Sequence, residues 1–322
     1  MTWVLASCAG RGSSADLKGA FPKMVGRESV EWKRGVPDFE GISRRKMAPP
    51  FSFSNRLARW VARTCRSSIM SIELRPHADR VRTRWDEVHP FDGNSEEDAR
   101  RNQLCNDRLY STGFVIAEDA DSVWLLTTVH MLENLYNAQN PLTPAIIENM
   151  FISSITCDHR EIRHRSGEDP DRVTRRVFAT EVSCARDLLL YWISRANLHM
   201  YCTTPHPPLF PYATKDGSHG VMAPSRYRTL VIGETSHGLR EYRDVVRDNV
   251  YGYQMSFGEV NITSGKGSSG APLMSGDVEV TGLLHGGDGF LSLFITLADI
   301  RDTLAEWGKE MYNLLSNCNA LH

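Results

Sequence analysis

An all-β fold of barrels or sandwiches, closed by one late helix, is what this chain of 322 residues predicts. Three observations carry that expectation. From about Ile72 onward, short apolar runs of strand length alternate with polar turns. Few stretches between them show the three- and four-residue apolar spacing of a helix. The exception comes last, where Leu297, Ile300, Leu304, Trp307, Met311 and Leu314 lay a stripe along one side of a helix running to about Ser316.

The first 70 residues read as a basic leader, with 13 Lys and Arg against 5 Asp and Glu, whereas residues 71–322 carry 24 against 34. Residues 1–50 mix Gly, Ser, Pro and basic side chains without periodicity and are expected to be largely disordered. An organelle transit peptide is one reading of them; Asp16, Glu28, Glu31, Asp38 and Glu40 count against it. Over 54–65 a short amphipathic helix is expected, capped by Ser54, with Leu57, Trp60 and Val61 on one face and Arg56, Arg59 and Arg63 elsewhere. Strands are then expected at Ser71–Leu74, Gly113–Ala117, Val123–Thr128, Val177–Val182, Leu188–Ile193, Leu230–Ile232, Val250–Phe257, Pro272–Met274, Val278–Leu284 and Leu291–Ile295. The proline-rich Thr203–Pro211 reads as a connector between an earlier and a later group of strands.

Composition narrows the function classes. At 41% hydrophobic residues the chain can bury a substantial core, and a net charge of −2 gives no reason to expect nucleic acid or an anionic membrane as partner. No apolar run approaches the roughly 18 residues of a membrane span, and Met1–Ala9 lacks the basic start and long apolar middle of a secretory signal. Seven scattered cysteines without a C-x-x-C pair suggest neither a disulfide framework nor a zinc site. A reducing compartment fits them best, so an intracellular location is expected, cytoplasmic or nuclear, with organelle import left open.

The chemistry is written around Gly265-Lys-Gly-Ser-Ser269-Gly-Ala-Pro272, a tight turn entering a strand. Such a turn can hold a hydroxyl out for reaction, and the glycine before the serines lets backbone N–H groups face the space beside it. Ser269 is the candidate nucleophile, with the N–H groups of Gly267 and Ser269 as oxyanion donors; a Gly/Ser loop without chemistry is the competing reading. A hydroxyl nucleophile needs a base, and the base needs an orienting group. His130 follows the apolar run Val123–Val129 directly, and Asp187 leads straight into the apolar Leu188–Ile193. A carboxylate there is costly to bury without a partner, and His130 is the natural one. Taken singly, a core histidine and a turn-capping aspartate remain alternatives.

The order His130, Asp187, Ser269 comes with three local matches: Thr127-Thr-Val-His130 to T-A-A-H, Asp187-Leu-Leu-Leu190 to D-I-A-L, and Gly267-Ser-Ser-Gly-Ala-Pro272 to G-D-S-G-G-P. In these the chain resembles the trypsin-like, chymotrypsin-fold serine peptidases over roughly 72–306, and more specifically their disulfide-free intracellular branches such as the Deg/HtrA type. The resemblance implies two six-stranded antiparallel β-barrels, the first at about 71–200 and the second at about 225–296, then a closing C-terminal helix from 297. It also implies a His130, Asp187, Ser269 triad in the cleft between them and hydrolysis of a protein or peptide substrate through an acyl-enzyme, with no cofactor and no metal. By the family's motif Thr263 and His285-Gly286-Gly287 line the primary substrate pocket, where His285 could donate to a Glu or Gln side chain. Since His285 stands where the family often has a small polar residue, a structural role is its alternative, and the lack of an acid at Thr263 argues against a preference for Lys or Arg. Two departures stand out. Ala271 replaces the second glycine of the serine motif, and the 22 residues after Ile300 are too few for the PDZ domain that Deg/HtrA proteases usually carry. The alternative expectation is therefore a chymotrypsin-fold scaffold that binds without cleaving, and a peptidase that cleaves only itself is a further one.

Overall fold

The computed structural model describes residues 2–6, 65–89, 95–157, 174–200, 205–209, 229–233, 235–241, 248–262, 264–265, 267–275, 279–287 and 291–308. Their strands are β1 (Thr2–Ala6), β2 (Ile69–Pro76), β3 (Leu109–Glu118), β4 (Ser122–Thr127), β5 (Phe151–Cys157), β6 (Thr174–Arg176) and β7 (Phe178–Ser183). After them come β8 (Leu188–Ser194), β9 (Thr229–Gly233), β10 (Thr235–Glu241), β11 (Ser256–Val260), β12 (Pro272–Ser275), β13 (Val280–Gly287) and β14 (Ser292–Thr296). The helices are α1 (Ala78–Val88), α2 (Ser95–Asn106), α3 (Pro144–Met150), α4 (Arg195–His199) and α5 (Leu297–Trp307). The chain is thus mostly β with a helix near its C-terminal end, as expected.

Two antiparallel sheets hold the strands, in the orders β6-β5-β2-β3-β4-β8-β7 and β10-β11-β14-β13-β12-β1-β9. Each has seven strand segments where six had been expected. In the first, the two end segments β6 and β7 are separated only by Val177, whose N–H donates to Ser153 O of β5 (3.0 Å), so the sheet curls until its ends are one continuous piece of chain. The second is arranged alike, since β9 and β10 are its two ends and only residue 234 lies between them. Within the leader, only residues 2–6 and 65–70 are described. Thr2–Ala6 is a strand, running antiparallel between β12 and β9.

Side-chain alternation joins the sheets. Val115, Leu125, Leu189 and Tyr191 face one core together with Met70, Ile72, Trp85 and Ile147. Their chain neighbours Phe114, Leu126, Leu188 and Leu190 face a second core with Phe257, Met274, Leu283, Ile295, Ile300 and Leu304. Strands β3, β4 and β8 are therefore covered on both faces, which is why their sequences read as unbroken apolar runs. Helix α5 starts at the Thr296 cap, whose hydroxyl accepts from Asp299 N–H (3.2 Å) and donates to Asp299 Oδ2 (2.6 Å), and it buries Ile300 and Leu304 in the second core. The expected extension from 309 to Ser316 and the expected helix at 54–65 lie outside the described residues, save Gly308 and Cys65 at their edges.

One expectation fails, and two of the elements that had no expectation were hidden, for identifiable reasons. Val250–Gln254 is turn and not strand, because the Asn249 side chain binds both Tyr253 N–H (2.9 Å) and Tyr253 O (2.7 Å) and Gly252 takes φ +71°. Helix α2 was missed because only Leu104 and Cys105 of its 12 residues are buried, leaving no stripe to read. In β5 the alternation Phe151, Ser153, Ile155 is buried at each step, and the small polar Ser153 disguises it.

Candidate active site

Register brings the chemical residues together. Thr127 of β4 is paired with Leu189 of β8, so the chain just after β4 meets the chain just before β8: His130 meets Asp187. In the second sheet Pro272 is paired with Leu283, which places the turn before β12 beside the residues after Leu283. The two meeting points face each other where the sheets pack.

Asp187 closes a 3-10 turn, Cys184–Arg186, in the left-handed region (φ 52°, ψ 39°), and among the described residues it is the only non-glycine with positive φ. Aspartate tolerates that conformation better than most side chains. Fully buried, it is satisfied by four donors. Oδ1 accepts Val129 N–H (2.8 Å) and His130 N–H (2.6 Å), while Oδ2 accepts His130 Nδ1–H (2.8 Å) and His285 Nδ1–H (2.5 Å). Burial pushes the carboxyl upward, but the charges and hydrogen bonds of His130 and His285 outweigh it and hold it at about 2. It is ionised at neutral pH.

His130 opens the 3-10 turn His130–Leu135, and its Nε2 lies 2.8 Å from Ser269 Oγ. Burial lowers its pKa, yet the Asp187 charge and hydrogen bond, aided by Glu133, leave it raised above the usual histidine value. Glu133, one turn on, is itself raised, chiefly by burial and then by the Asp187 charge. For His285 the balance falls the other way: burial and the nearby His130 leave it lowered despite Asp187. Two imidazoles on one carboxylate are thereby pushed apart.

The turn carrying Ser269 is bent by Gly267 (φ 84°) and Gly270 (φ 80°). A Cβ on Gly270 would stand 2.2 Å from Thr112 O and 2.3 Å from Thr127 Oγ1, so only glycine fits there. Ser269 O accepts Thr112 N–H (2.8 Å) and Ser111 Oγ–H (2.8 Å), and Gly267 O accepts Thr112 Oγ1–H (2.6 Å). Thr127 Oγ1 ties the same group to Thr112 O (2.7 Å). These buried hydroxyls of the first sheet fasten the Ser269 turn of the second. Ser111 and Thr112 escaped sequence reasoning, since nothing marks two small polar residues at a strand start. Gly270 N–H donates to Leu284 O (2.8 Å), and Ala271 N–H to Ser268 O (3.0 Å). The N–H groups of Gly267 and Ser269 donate to no acceptor among the described residues. Ala271 is buried with a negative φ, so its methyl costs the turn nothing.

Of the expected pocket residues, Thr263 lies outside the described residues. His285 sits on β13 with Nδ1 on Asp187, its ring 4.7 Å from Phe257 and edge-on to Tyr253 at 5.6 Å. A Cβ on Gly286 would come no nearer than 3.9 Å to His130 Nε2, so this glycine leaves room beside the imidazole. Gly287 has a different reason: a Cβ would stand 2.3 Å from Leu291 O across the β13–β14 turn. The ligand-type atoms of His130, Asp187 and His285 lie within 4.8 Å of one another, a spacing that suits a metal ion. Both Nδ1 atoms already spend their hydrogens on Asp187, which accounts for the cluster by hydrogen bonding alone.

No protein-family model matches the chain, and no curated protein matches it. Solved structures do. The active form of the Rv3671c protease from M. tuberculosis is similar at 14% identity, over 84% of this chain and 95% of that one, with a TM-score of 0.46. Its inactive form is similar at 13% identity over 79% and 96%, TM-score 0.46, and Deg5 at 13% identity over 78% and 93%, TM-score 0.45. In its motifs the chain resembles the trypsin-like serine peptidases. What the site can do follows from its own hydrogen bonds. Among the described residues no helix is long and apolar enough to cross a membrane.

Proposed function

We propose that this chain is a serine endopeptidase that hydrolyses peptide bonds in a protein or peptide substrate. The carrying observation is the unbroken chain from buried Asp187 through His130 to Ser269 Oγ, with both links at 2.8 Å. Ionised Asp187 keeps the His130 proton on Nδ1, which leaves Nε2 to accept the Ser269 proton as Oγ bonds to the substrate carbonyl carbon. The resulting oxyanion is received by the Gly267 and Ser269 N–H groups, which have no other acceptor among the described residues. His130 then passes its proton to the leaving amine as the peptide C–N bond breaks. Water, activated by the same imidazole, releases the acyl group from Ser269.

The negative φ of Ala271 supports activity over the inactive-scaffold alternative, because the departure from the motif leaves the turn undisturbed. On this reading each curled sheet is a six-stranded barrel in which β6–β7 and β9–β10 each count as one bent strand, and the site lies between the two barrels. Buried, unpaired Cys65, Cys105 and Cys184 suit a reducing, intracellular compartment. Gly286 leaves room for substrate beside His130, so the pocket side of the site is placed at Gly286, with Thr263 and Gly287 assigned to it from the motif alone, whereas His285 is turned onto Asp187.

Covalent labelling with a fluorophosphonate tests the proposal. Wild type is expected to label, while Ser269→Ala and His130→Ala do not; a folded wild type that never labels overturns it. A mass shift of the purified wild type that Ser269→Ala lacks would reveal self-cleavage.

A further inference from the structure

Asp187 Oδ2 is shared. It lies 2.8 Å from His130 Nδ1 and 2.5 Å from His285 Nδ1, while Oδ1 is occupied by the Val129 and His130 amides. Three of these four donors come from the chain that carries His130. The fourth comes from β13, so His285 is the contact by which the second sheet, bearing Ser269, reaches the carboxylate on the first.

We propose that His285 is a positioning residue of the catalytic apparatus: its Nδ1–H orients the carboxylate that orients His130, and it does so in its neutral form. This rests on the serine-peptidase reading above. An ionised Asp187 accepts only, so His285 must place its hydrogen on Nδ1. The ring is held for that task by Phe257 at 4.7 Å and by the edge contact with Tyr253, whose hydroxyl is bound by Tyr136 OH (2.9 Å). The titratable groups around His285 are Asp187, His130 with Glu133 behind it, and the two tyrosines; among the described residues no Lys or Arg pairs with this group. The His130 and His285 rings are only 4.3 Å apart. When His130 takes the Ser269 proton, the new imidazolium has Asp187 as its counter-charge, provided His285 is neutral. A protonated His285 sets a second cation on the same oxygen and opposes the transfer.

Saturation kinetics of fluorophosphonate labelling separates this role from packing. In His285→Asn the amide nitrogen takes the place of Nδ1, whereas in His285→Gln it takes the place of Nε2; His285→Leu removes the donor. The Asn variant is expected to keep about a third or more of the maximal labelling rate. The Gln and Leu variants are expected to lose about 10- to 100-fold, the scale of an outer hydrogen bond to a functional group, with the half-saturating probe concentration unchanged. Toward acid, the wild-type rate is expected to steepen from a one-proton to a two-proton dependence as His285 protonates after His130, and the Asn variant to keep the one-proton slope. Wild-type rates in the Gln and Leu variants overturn the positioning role. A two-proton limb that survives in the Asn variant overturns the neutral-form requirement. Should the Leu variant fail to fold, the Asn and Gln pair carries the same comparison. A folded wild type that never labels is a distinct result, which removes the peptidase reading and this inference with it.

Discussion

Asp187 concentrates the largest single-residue effects, because four N–H groups converge on one fully buried carboxylate. Asp187→Asn keeps an acceptor for the two amides but presents an N–H to the imidazoles, which selects the wrong His130 tautomer. A loss of about 10⁴ in fluorophosphonate labelling rate is expected, in a protein whose circular dichroism is unchanged. Titration supplies a second check. The folded carboxyl sits at about 2, below its value in the unfolded chain, so its contribution to stability is complete above about pH 3.9 and is lost as pH falls through 2. Between pH 4 and pH 2, urea midpoints of wild type are expected to fall more steeply than those of Asp187→Asn. His130 shifts oppositely, so labelling is expected to reach half its plateau above the roughly 6.5 of a free imidazole. At this scale the hydrogen-bonded group of His130, Asp187 and Ser269 was legible: each member carries a polar group next to an apolar strand or a glycine turn. His285 was legible as a pocket donor or a structural residue beside two glycines, but its partner was not, since Asp187 is 98 residues away in sequence.

The turn carrying Ser269 shows how an element depends on its neighbours. Gly270→Ala drives a methyl into Thr112 O at 2.2 Å and forces a left-handed side chain, for which about 3 kcal/mol of lost stability is expected in urea denaturation. Gly265 is the control, since a Cβ there meets nothing within 4 Å and Gly265→Ala should stay within about 0.5 kcal/mol. Thr112→Val removes the hydroxyl donor to Gly267 O and is expected to cost about 1–2 kcal/mol, with slower labelling as the turn loosens. Helix α1 serves the site from the other side. Buried Arg84 donates to Leu135 O (3.0 Å), Asn140 O (2.5 Å) and Pro141 O (3.1 Å), fastening the chain that follows the His130 turn. An arginine on a helix reads as solvated in sequence; only the packed loop shows its acceptors.

Across the whole molecule, the strand β1 is the least predictable feature and the most testable. Its five residues pair with β9 along their full length and with β12 over three positions, so they close the sheet that carries Ser269. Deleting residues 2–6 should strip both neighbours of backbone partners. Hydrogen exchange is expected to show β9 and β12 losing protection while β2, β3 and β4 keep theirs, together with a loss of about 3 kcal/mol or more in global stability. Equal protection in both forms would show that β1 does not hold the sheet. The sequence by itself determined that the chain is mostly β with a late helix, and it singled out His130, Asp187, Ser269 and the glycine turn, because these depend on local signals: alternation of apolar side chains, turn chemistry, and polar groups at strand ends. Tertiary structure decided what alternation cannot express. It paired Thr2–Ala6 with strands more than 200 residues away, set Ser111 and Thr112 under the Ser269 turn, and turned His285 onto Asp187. The reason is common to all three: a backbone or side-chain hydrogen bond between distant segments leaves no periodic mark on either segment, and exists only once the two sheets have packed.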